Sequence, residues 1–218
     1  MLSRLPVSPR FVLTVLAGLA VAGPAFAGPP LLCHPYDIGA ARSLPWGGGT
    51  PGWRDTSPHY AVANLVEDTE ALLTPSTPVI VRMETLRRAA IYASQDPQVG
   101  ARLFTRLTDR VLAANQSGKP DGLAYLDAAY YSGALRELSD LTELGDRGVK
   151  LRAIVRGTDA YALALKSIAL RPGDPAVEFA AALIASDSRR GEYSQHAEKA
   201  RAGAARDALL ARNIQQVR

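Results

Sequence analysis

The sequence predicts an all-α fold made of antiparallel helical hairpins, and three observations support this prediction. From Ser57 onward, apolar residues recur at steps of three and four, which is the spacing of one helix face. No sustained alternation of polar and apolar residues is present, as a strand on a sheet surface would require. A capping residue precedes a proline suited to the first helical turn at Ser57-Pro58, Thr77-Pro78, Asp96-Pro97 and Asp174-Pro175.

Residues 1–27 have the pattern of an export signal. Arg4 and Arg10 are basic, residues 11–22 are apolar, and Ala25-Phe26-Ala27 is a small-x-small cleavage site. The apolar run of about 12 residues is shorter than the ~20 that span a bilayer as a helix. We therefore expect a mature chain that begins at Gly28 and has no membrane span. It is expected in the periplasm of a Gram-negative bacterium, or secreted from another source.

Residues 28–56 are predicted to form an irregular N-terminal arm that packs on a helical domain of residues 57–218. Frequent glycine and proline exclude regular elements here. A solvated tail would lack apolar side chains, so those of the arm are expected to be buried on the helices. They are Leu31, Leu32, Tyr36, Ile38, Leu44, Trp46 and Trp53.

Three helices are predicted between residues 77 and 138, starting near 78, 97 and 122. Their apolar faces hold Val79, Met83, Leu86, Ala90 and Ala93; Leu103, Phe104, Leu107, Val111 and Ala114; and Leu123, Leu126, Tyr130, Ala134 and Leu138. Residues 140–157 remain unassigned, because their glycines favour a loop whereas 151–155 fit either a helical turn or a short extended piece.

The C-terminal third is predicted to contain three further helices. The first opens at Thr158 or Asp159 and is closed by Arg171-Pro172-Gly173, and the second starts at Pro175. The third covers residues 192–213. Small side chains along it would allow two helix backbones to approach closely; they are Ala197, Ala200, Ala204, Ala208 and Ala211.

Residues 159–185 resemble part of a tetratricopeptide repeat. Ala160, Ile168, Leu170 and Pro172 match the second helix and closing proline of that repeat. The small residues Ala182 and Ala185 fall near the small positions of the next repeat's first helix. The resemblance implies hairpins that bury their apolar faces by stacking on one another. An irregular helical bundle is the alternative architecture.

Composition excludes several functional classes. The net charge is +4, and two of the positive charges, Arg4 and Arg10, belong to the predicted signal, so no nucleic-acid partner is expected. The single cysteine permits no internal disulfide bond. No motif for a nucleotide, haem or other cofactor is present, so no cofactor is expected.

The candidates for a functional contact are Cys33, His34, Asp37 and Tyr131. The first three could ligate a metal or form a thiolate pair, although adjacent side chains in an extended chain point to opposite sides. A packed thiol, a redox or intermolecular disulfide and a metal site all remain open, and the packed thiol is favoured. Tyr131 is the next residue after Tyr130, which lies on the apolar face. Its side chain should therefore point away from that face, and it is expected at the surface.

Two charged groups lie near the start of the helical domain. They are the carboxylates of Glu67, Asp68 and Glu70 and the arginines Arg82, Arg87 and Arg88. Glu67 and Glu70 share a helix face, as paired acids do in some hydrolases, but a solvated face near a helix start is the favoured interpretation. We interpret the arginines as a basic patch that faces these acids.

These observations lead to one functional hypothesis and one alternative. We expect an exported, helical-repeat-like protein that binds another protein or a peptide and is not an enzyme. The alternative is a cell-envelope hydrolase or thiol-dependent enzyme with a site near Cys33 and His34, in a cleft between the arm and the helices.

Overall fold

The computed structural model describes residues 30–49, 52–186 and 190–217, and this part of the chain is all-α. Outside its helices, one isolated bridge pairs Trp46 with Thr56. The helices of the described residues are α1 Leu65–Leu72, α2 Val79–Ala93, α3 Pro97–Gln116, α4 Gly122–Ser139, α5 Asp146–Ile154, α6 Ala160–Leu170, α7 Pro175–Ala185, α8 Arg190–Gly203 and α9 Ala208–Asn213.

Helix α4 is the centre of the fold. It packs against α2, α3, α5, α6 and α7, and residues on all of its faces are buried. A helix that is apolar or small on every side belongs inside a protein rather than at its surface. Tyr130, which the sequence assigns to packing, is fully buried here.

Two of the predicted helix starts have the expected caps. Asp96 accepts a hydrogen bond of 2.9 Å from the Gln98 N–H at the start of α3, and Asp174 accepts from the N–H of Ala176 at the start of α7. The proline follows each cap at the first helical position, where its missing N–H costs nothing.

The other two predicted starts differ from the structure. Thr77-Pro78 does precede α2, but the Thr77 hydroxyl donates to the Leu72 carbonyl at 2.7 Å instead of capping. The prediction of a helix start at Ser57-Pro58 is wrong, because the first α-helix begins at Leu65. Ser57 instead contacts α2, because its N–H donates to the Tyr92 hydroxyl at 2.9 Å.

The structure also gives the secondary structure of residues 140–157 and of the C-terminal segment. Residues 140–157 contain α5. The predicted continuous helix over 192–213 is wrong, because α8 ends at Gly203 and Asp207 caps a new helix by accepting from the Leu209 and Leu210 N–H groups at 3.0 Å. This break takes Ala208 and Ala211 out of the seam, and both are exposed.

The N-terminal arm is part of the main hydrophobic core. Its buried apolar residues are Leu31, Leu32, Tyr36, Ile38 and Leu44. Trp46 and Trp53 are half-buried and pack against the same core, and the Trp46 ring meets the Tyr92 ring edge-on at 6.0 Å.

Three charged side chains of α2 form an ion-pair group beneath the arm. The Glu84 carboxylate accepts from Arg87 at 2.8 and 2.9 Å and from Arg88 at 2.6 Å. Glu84 and Arg87 are fully buried. The interpretation of these arginines as a basic patch facing Glu67, Asp68 and Glu70 is therefore wrong for Arg87, which pairs with Glu84. It is also wrong for Arg82, whose buried guanidinium pairs with Asp127 at 2.5 Å.

This group binds the backbone of the arm. Arg87 donates to the carbonyls of Leu32 and Trp53 at 3.0 and 3.2 Å. Arg88 donates to the Leu44 carbonyl at 2.6 Å, and Glu84 accepts the Tyr36 N–H at 3.0 Å. Buried backbone groups need partners, and side chains supply them here because the arm has no helix or sheet of its own.

Two further contacts fix the arm at other helices. On α4, the Tyr130 hydroxyl donates to the Leu31 carbonyl at 2.8 Å. At α9, Asn213 accepts the Asp37 N–H at 2.8 Å and donates to the Asp37 carbonyl at 3.0 Å. The arm is therefore attached to α2, α4 and α9.

A second buried ion pair joins α2 to α4. Arg82 contacts Asp127 and also donates to the carbonyls of Thr74 and Thr77 in the α1–α2 loop. Burial raises the pKa of Asp127 to about 6, against the opposing positive charges of Arg82 and Arg110. The pair connects the loop before α2 to the central helix.

No helix in the described part of the chain is both long enough and apolar enough to cross a bilayer.

Replacing Glu84 tests the ion-pair group. We expect Glu84→Gln to lower the free energy of unfolding by about 3–5 kcal/mol, because it leaves the charge of Arg87 buried without its counter-ion. Urea unfolding followed by circular dichroism measures this. Glu67→Gln on the exposed face of α1 is the control and should stay within about 0.5 kcal/mol of the wild type. Equal stability of the two variants would contradict a supporting role for the group.

Candidate functional site

A cleft of about 550 Å³ opens where the arm meets the C-terminal half of α4 and the start of α6. Leu31 of the arm and Ile184 of α7 supply apolar surface. The remaining lining consists of Gly133, Arg136, Glu137 and Asp140 of α4, followed by Gly157, Thr158, Asp159, Ala160 and Tyr161.

The turn between α5 and α6 is held in place from both sides. Gly157 has a φ of +79°, a conformation that favours glycine, and Asp159 caps α6 by accepting the Ala162 N–H at 3.0 Å. Arg136 reaches across from α4 and donates to the Thr158 carbonyl at 2.8 Å. This wall of the cleft is thus cross-linked to the central helix.

The arm contributes Leu31 to the lining of the cleft and is packed against α4 at that residue. A Cβ atom at Gly133 would lie 2.7 Å from Leu31 Cδ1, so the absence of a side chain there permits the contact. The Leu31 N–H donates to the Glu137 carboxylate at 3.0 Å. The shape of the cleft therefore depends on the docked arm.

The charged side chains of the cleft are mostly acidic. Glu137, Asp140 and Asp159 carry carboxylates, and Arg136 is the guanidinium of the lining. Asp140 also pairs with Arg152, but both side chains are more than half exposed, and exposed pairs of this kind contribute little.

A chain of hydrogen bonds lies behind Tyr161. Its hydroxyl is 2.8 Å from His196 Nε2, and His196 Nδ1 is 2.5 Å from a Glu178 carboxylate oxygen. The other Glu178 oxygen lies 3.3 Å from Lys199 Nζ. Only 7% of the His196 and Glu178 side-chain surface is exposed. An ionised carboxylate accepts only, so Nδ1 carries the proton of that contact.

No pattern in the sequence connects the three residues Tyr161, Glu178 and His196. They lie on α6, α7 and α8, and no local spacing rule connects residues on three helices. The only signal was that each is a polar group at a position packed within an otherwise apolar or small-residue helix face.

Cys33 and His34 lie in the arm and are half-buried. Burial, and then the negative charge of Glu137, raises the pKa of the Cys33 thiol, with Arg54 and Arg87 acting in the opposite direction. Burial and the positive charge of Arg87 lower the pKa of His34. Within the described ranges, no three His, Cys, Asp or Glu side chains are grouped so that they could hold a metal ion.

Of the other two candidate residues, Asp37 is exposed and Tyr131 is fully buried. Asp37 accepts the Gly39 N–H at 2.9 Å and lies 3.5 Å from Arg212, so its contacts are those of the arm with α9. The prediction that Tyr131 lies at the surface is wrong. It is fully buried because α4 is packed on every side, its hydroxyl donates to the Gly100 carbonyl at 3.4 Å, and burial raises its pKa.

Comparison with known proteins was made at three levels. No family model, curated protein or solved structure matches this chain.

Alkylation of Cys33 tests its chemical state. At neutral pH we expect native protein to react with iodoacetamide at least about tenfold more slowly than urea-unfolded protein, because a raised thiol pKa leaves little thiolate. Glu137→Gln, which removes a negative charge, should lower that pKa and speed native labelling, whereas Glu67→Gln should not. Fast native labelling that is lost in His34→Ala would instead indicate an activated thiolate.

Proposed function

We propose that this chain is an exported, non-catalytic binding protein that holds a peptide segment of a partner protein in the cleft. The observation that carries the proposal is the cleft itself, which is open to solvent and about 550 Å³ in volume. Binding pockets typically have this size and combine apolar surface with a few placed polar groups. Leu31 and Ile184 provide the apolar surface. The carboxylates, Arg136 and Thr158 provide the polar groups.

The fixed walls of the cleft support binding. Arg136 bridges α4 to the α5–α6 turn, and Glu137 anchors the arm at Leu31. A site whose walls are already ordered loses little conformational entropy when a ligand enters. This favours recognition of an extended or flexible partner segment, which would bear most of the ordering cost itself.

The architecture also supports the proposal. The tetratricopeptide-like segment coincides with α6 and α7, which contribute Tyr161 and Ile184 to the cleft. Stacked helical hairpins commonly present extended binding surfaces. We place the mature chain, from Gly28 onward, in the periplasm or outside the cell. Residues 1–27, on which this location depends, lie outside the described residues.

The alternative is an envelope enzyme with a site near Cys33 and His34. The raised thiol pKa and the lowered imidazole pKa both favour the neutral forms of these side chains. A thiolate–imidazolium pair needs the opposite shifts. These electrostatics support the binding function over the thiol-dependent one.

Filling the cleft tests the proposal. We expect Thr158→Phe, which places a ring in the cleft, to reduce recovery of the partner protein on a tagged bait from cell-envelope extracts by roughly tenfold or more. Thr142→Phe is the matched control, an exposed turn threonine on the other side of α5 that does not line the cleft. Circular dichroism and thermal unfolding confirm that both variants are folded. Equal recovery by the two variants would contradict binding in the cleft.

A further inference from the structure

We propose that the outward face of α5 binds the surface of an anionic lipid bilayer, with Val149 entering the headgroup region and Arg147, Lys150 and Arg156 contacting lipid phosphates. Between positions 146 and 156 the chain has four basic residues and one acidic residue. The same segment contains the most exposed large apolar residue of the described part of the chain, Val149, which is 69% exposed. A basic surface with an exposed apolar residue is the combination that an anionic membrane surface complements.

The core fixes α5 by its inner face. Leu151 is buried in α5, as is Val155 directly after it, and the helix packs against α3 and α4. At Gly148 a Cβ atom would lie 3.1 Å from the Ser139 carbonyl oxygen, so this face is in close contact with α4. The orientation of the outward face is therefore set by the fold before any surface is met.

The outward face has an apolar centre between basic residues. A helix turns by about 100° per residue, so Val149 and the exposed Ala153 lie on the side opposite Leu151. Exposed basic residues lie on both sides of this centre; they are Arg147 and Lys150 on one side and Arg152 and Arg156 on the other. Helices that lie on a membrane have this arrangement, because long basic side chains reach the phosphates while the apolar centre enters the headgroup layer.

The stability of the helix does not account for two of these residues. Arg147 lies in the first turn of α5, where the helix dipole disfavours a positive charge. Val149 is β-branched and a weaker helix former than alanine, and its exposure shows that it packs little against the core. A contact outside the chain accounts for both.

The charges of this face are open to a ligand. Arg147, Lys150 and Arg156 form no ion pair within the part of the chain that the structure describes, whereas Arg152 pairs with Asp140 at the surface. Each Lys or Arg close to an anionic lipid surface strengthens binding roughly fivefold. Three such residues therefore supply a reversible attachment.

A bilayer fits this face better than an acidic protein does. With nine residues, α5 is about 13 Å long, which is short for the ~800 Å² that each partner of a standard protein interface buries. A headgroup layer needs no such area, because its charge attracts basic side chains over about 10 Å at moderate salt. It also takes up Val149 without a shaped pocket.

This face adjoins the cleft. Arg156 is followed directly by Gly157 and Thr158, which line the cleft. Attachment through α5 would hold the cleft close to the bilayer, within reach of segments of membrane proteins. The experiments below test the face of α5 alone, so their outcome does not depend on a partner in the cleft.

Sedimentation with lipid vesicles tests the inference. Vesicles of phosphatidylcholine with about 30% phosphatidylglycerol are compared with vesicles of phosphatidylcholine alone, and intact mass verifies that all protein samples have the same N-terminus. At about 50 mM salt we expect binding to the anionic vesicles to be at least about tenfold stronger, and this difference should vanish at about 500 mM salt. Equal binding to both kinds of vesicle, or binding to neither, would overturn the inference.

Charge reversal locates the binding surface. Arg147→Glu combined with Lys150→Glu should weaken binding to anionic vesicles at least about tenfold. Arg201→Glu combined with Arg206→Glu is the matched control, because it changes the net charge equally at exposed positions in and directly after α8, which packs on α7. It should weaken binding by no more than about threefold. Circular dichroism confirms that both variants are folded. An equal loss in the two variants would show that net charge, and not α5, drives binding, and would overturn the assignment.

A change at Val149 tests whether the apolar centre enters the lipid. We expect Val149→Asn to weaken binding to anionic vesicles about threefold, whereas Leu112→Asn, at an exposed apolar residue of α3, should leave it unchanged. Glycerophosphoglycerol, the same headgroup without acyl chains, should not release bound protein at a matched phosphate concentration. Release by this compound, or unchanged binding of Val149→Asn, would indicate a phosphate site and overturn the bilayer inference.

Discussion

The hydrogen bonds between the arm and the side chains of Glu84, Arg87 and Arg88 are the interaction on which the rest of the structure depends. An arm without helix or sheet brings unpaired backbone groups into the core, and each such group costs about 1–3 kcal/mol if it is left without a partner. Buried charges on α2 carry a similar penalty unless they are paired and hydrogen-bonded. Each set of groups satisfies the other, because the arginines donate to arm carbonyls and the carboxylate accepts an arm N–H.

The cleft follows from this arrangement. With its backbone held on α2, the arm inserts Leu32 and Tyr36 into the core and brings Leu31 against Gly133 of α4. Glu137 then completes the contact at the Leu31 N–H. The lining of the candidate site therefore combines a residue of an extended segment fixed by side chains with the cross-linked start of α6. The proposed binding function needs both parts to be rigid.

Local signals predicted much of the fold, and long-range contacts account for the errors. The caps at Asp96 and Asp174 and the helical spacing in α2, α3 and α4 depend on neighbours in sequence, so they could be identified from the chain alone. The burial of Arg87 and of Tyr131 depends on what packs against their helices, which helical periodicity does not reveal. For the same reason the contact between Tyr161 and His196 had no sequence signature, although the arm beside it was correctly expected to contain buried apolar residues.

Native-state hydrogen exchange of the arm tests the central claim most directly. The amides of Leu31 and Tyr36 donate to the carboxylates of Glu137 and Glu84, and the account treats them as part of the cooperative core. Their exchange should therefore report a free energy of opening within about 1 kcal/mol of that for the Tyr130 amide in α4. Exchange of both arm amides through a low-energy local opening, while the Tyr130 amide stays protected, would show that the helical core does not depend on the arm.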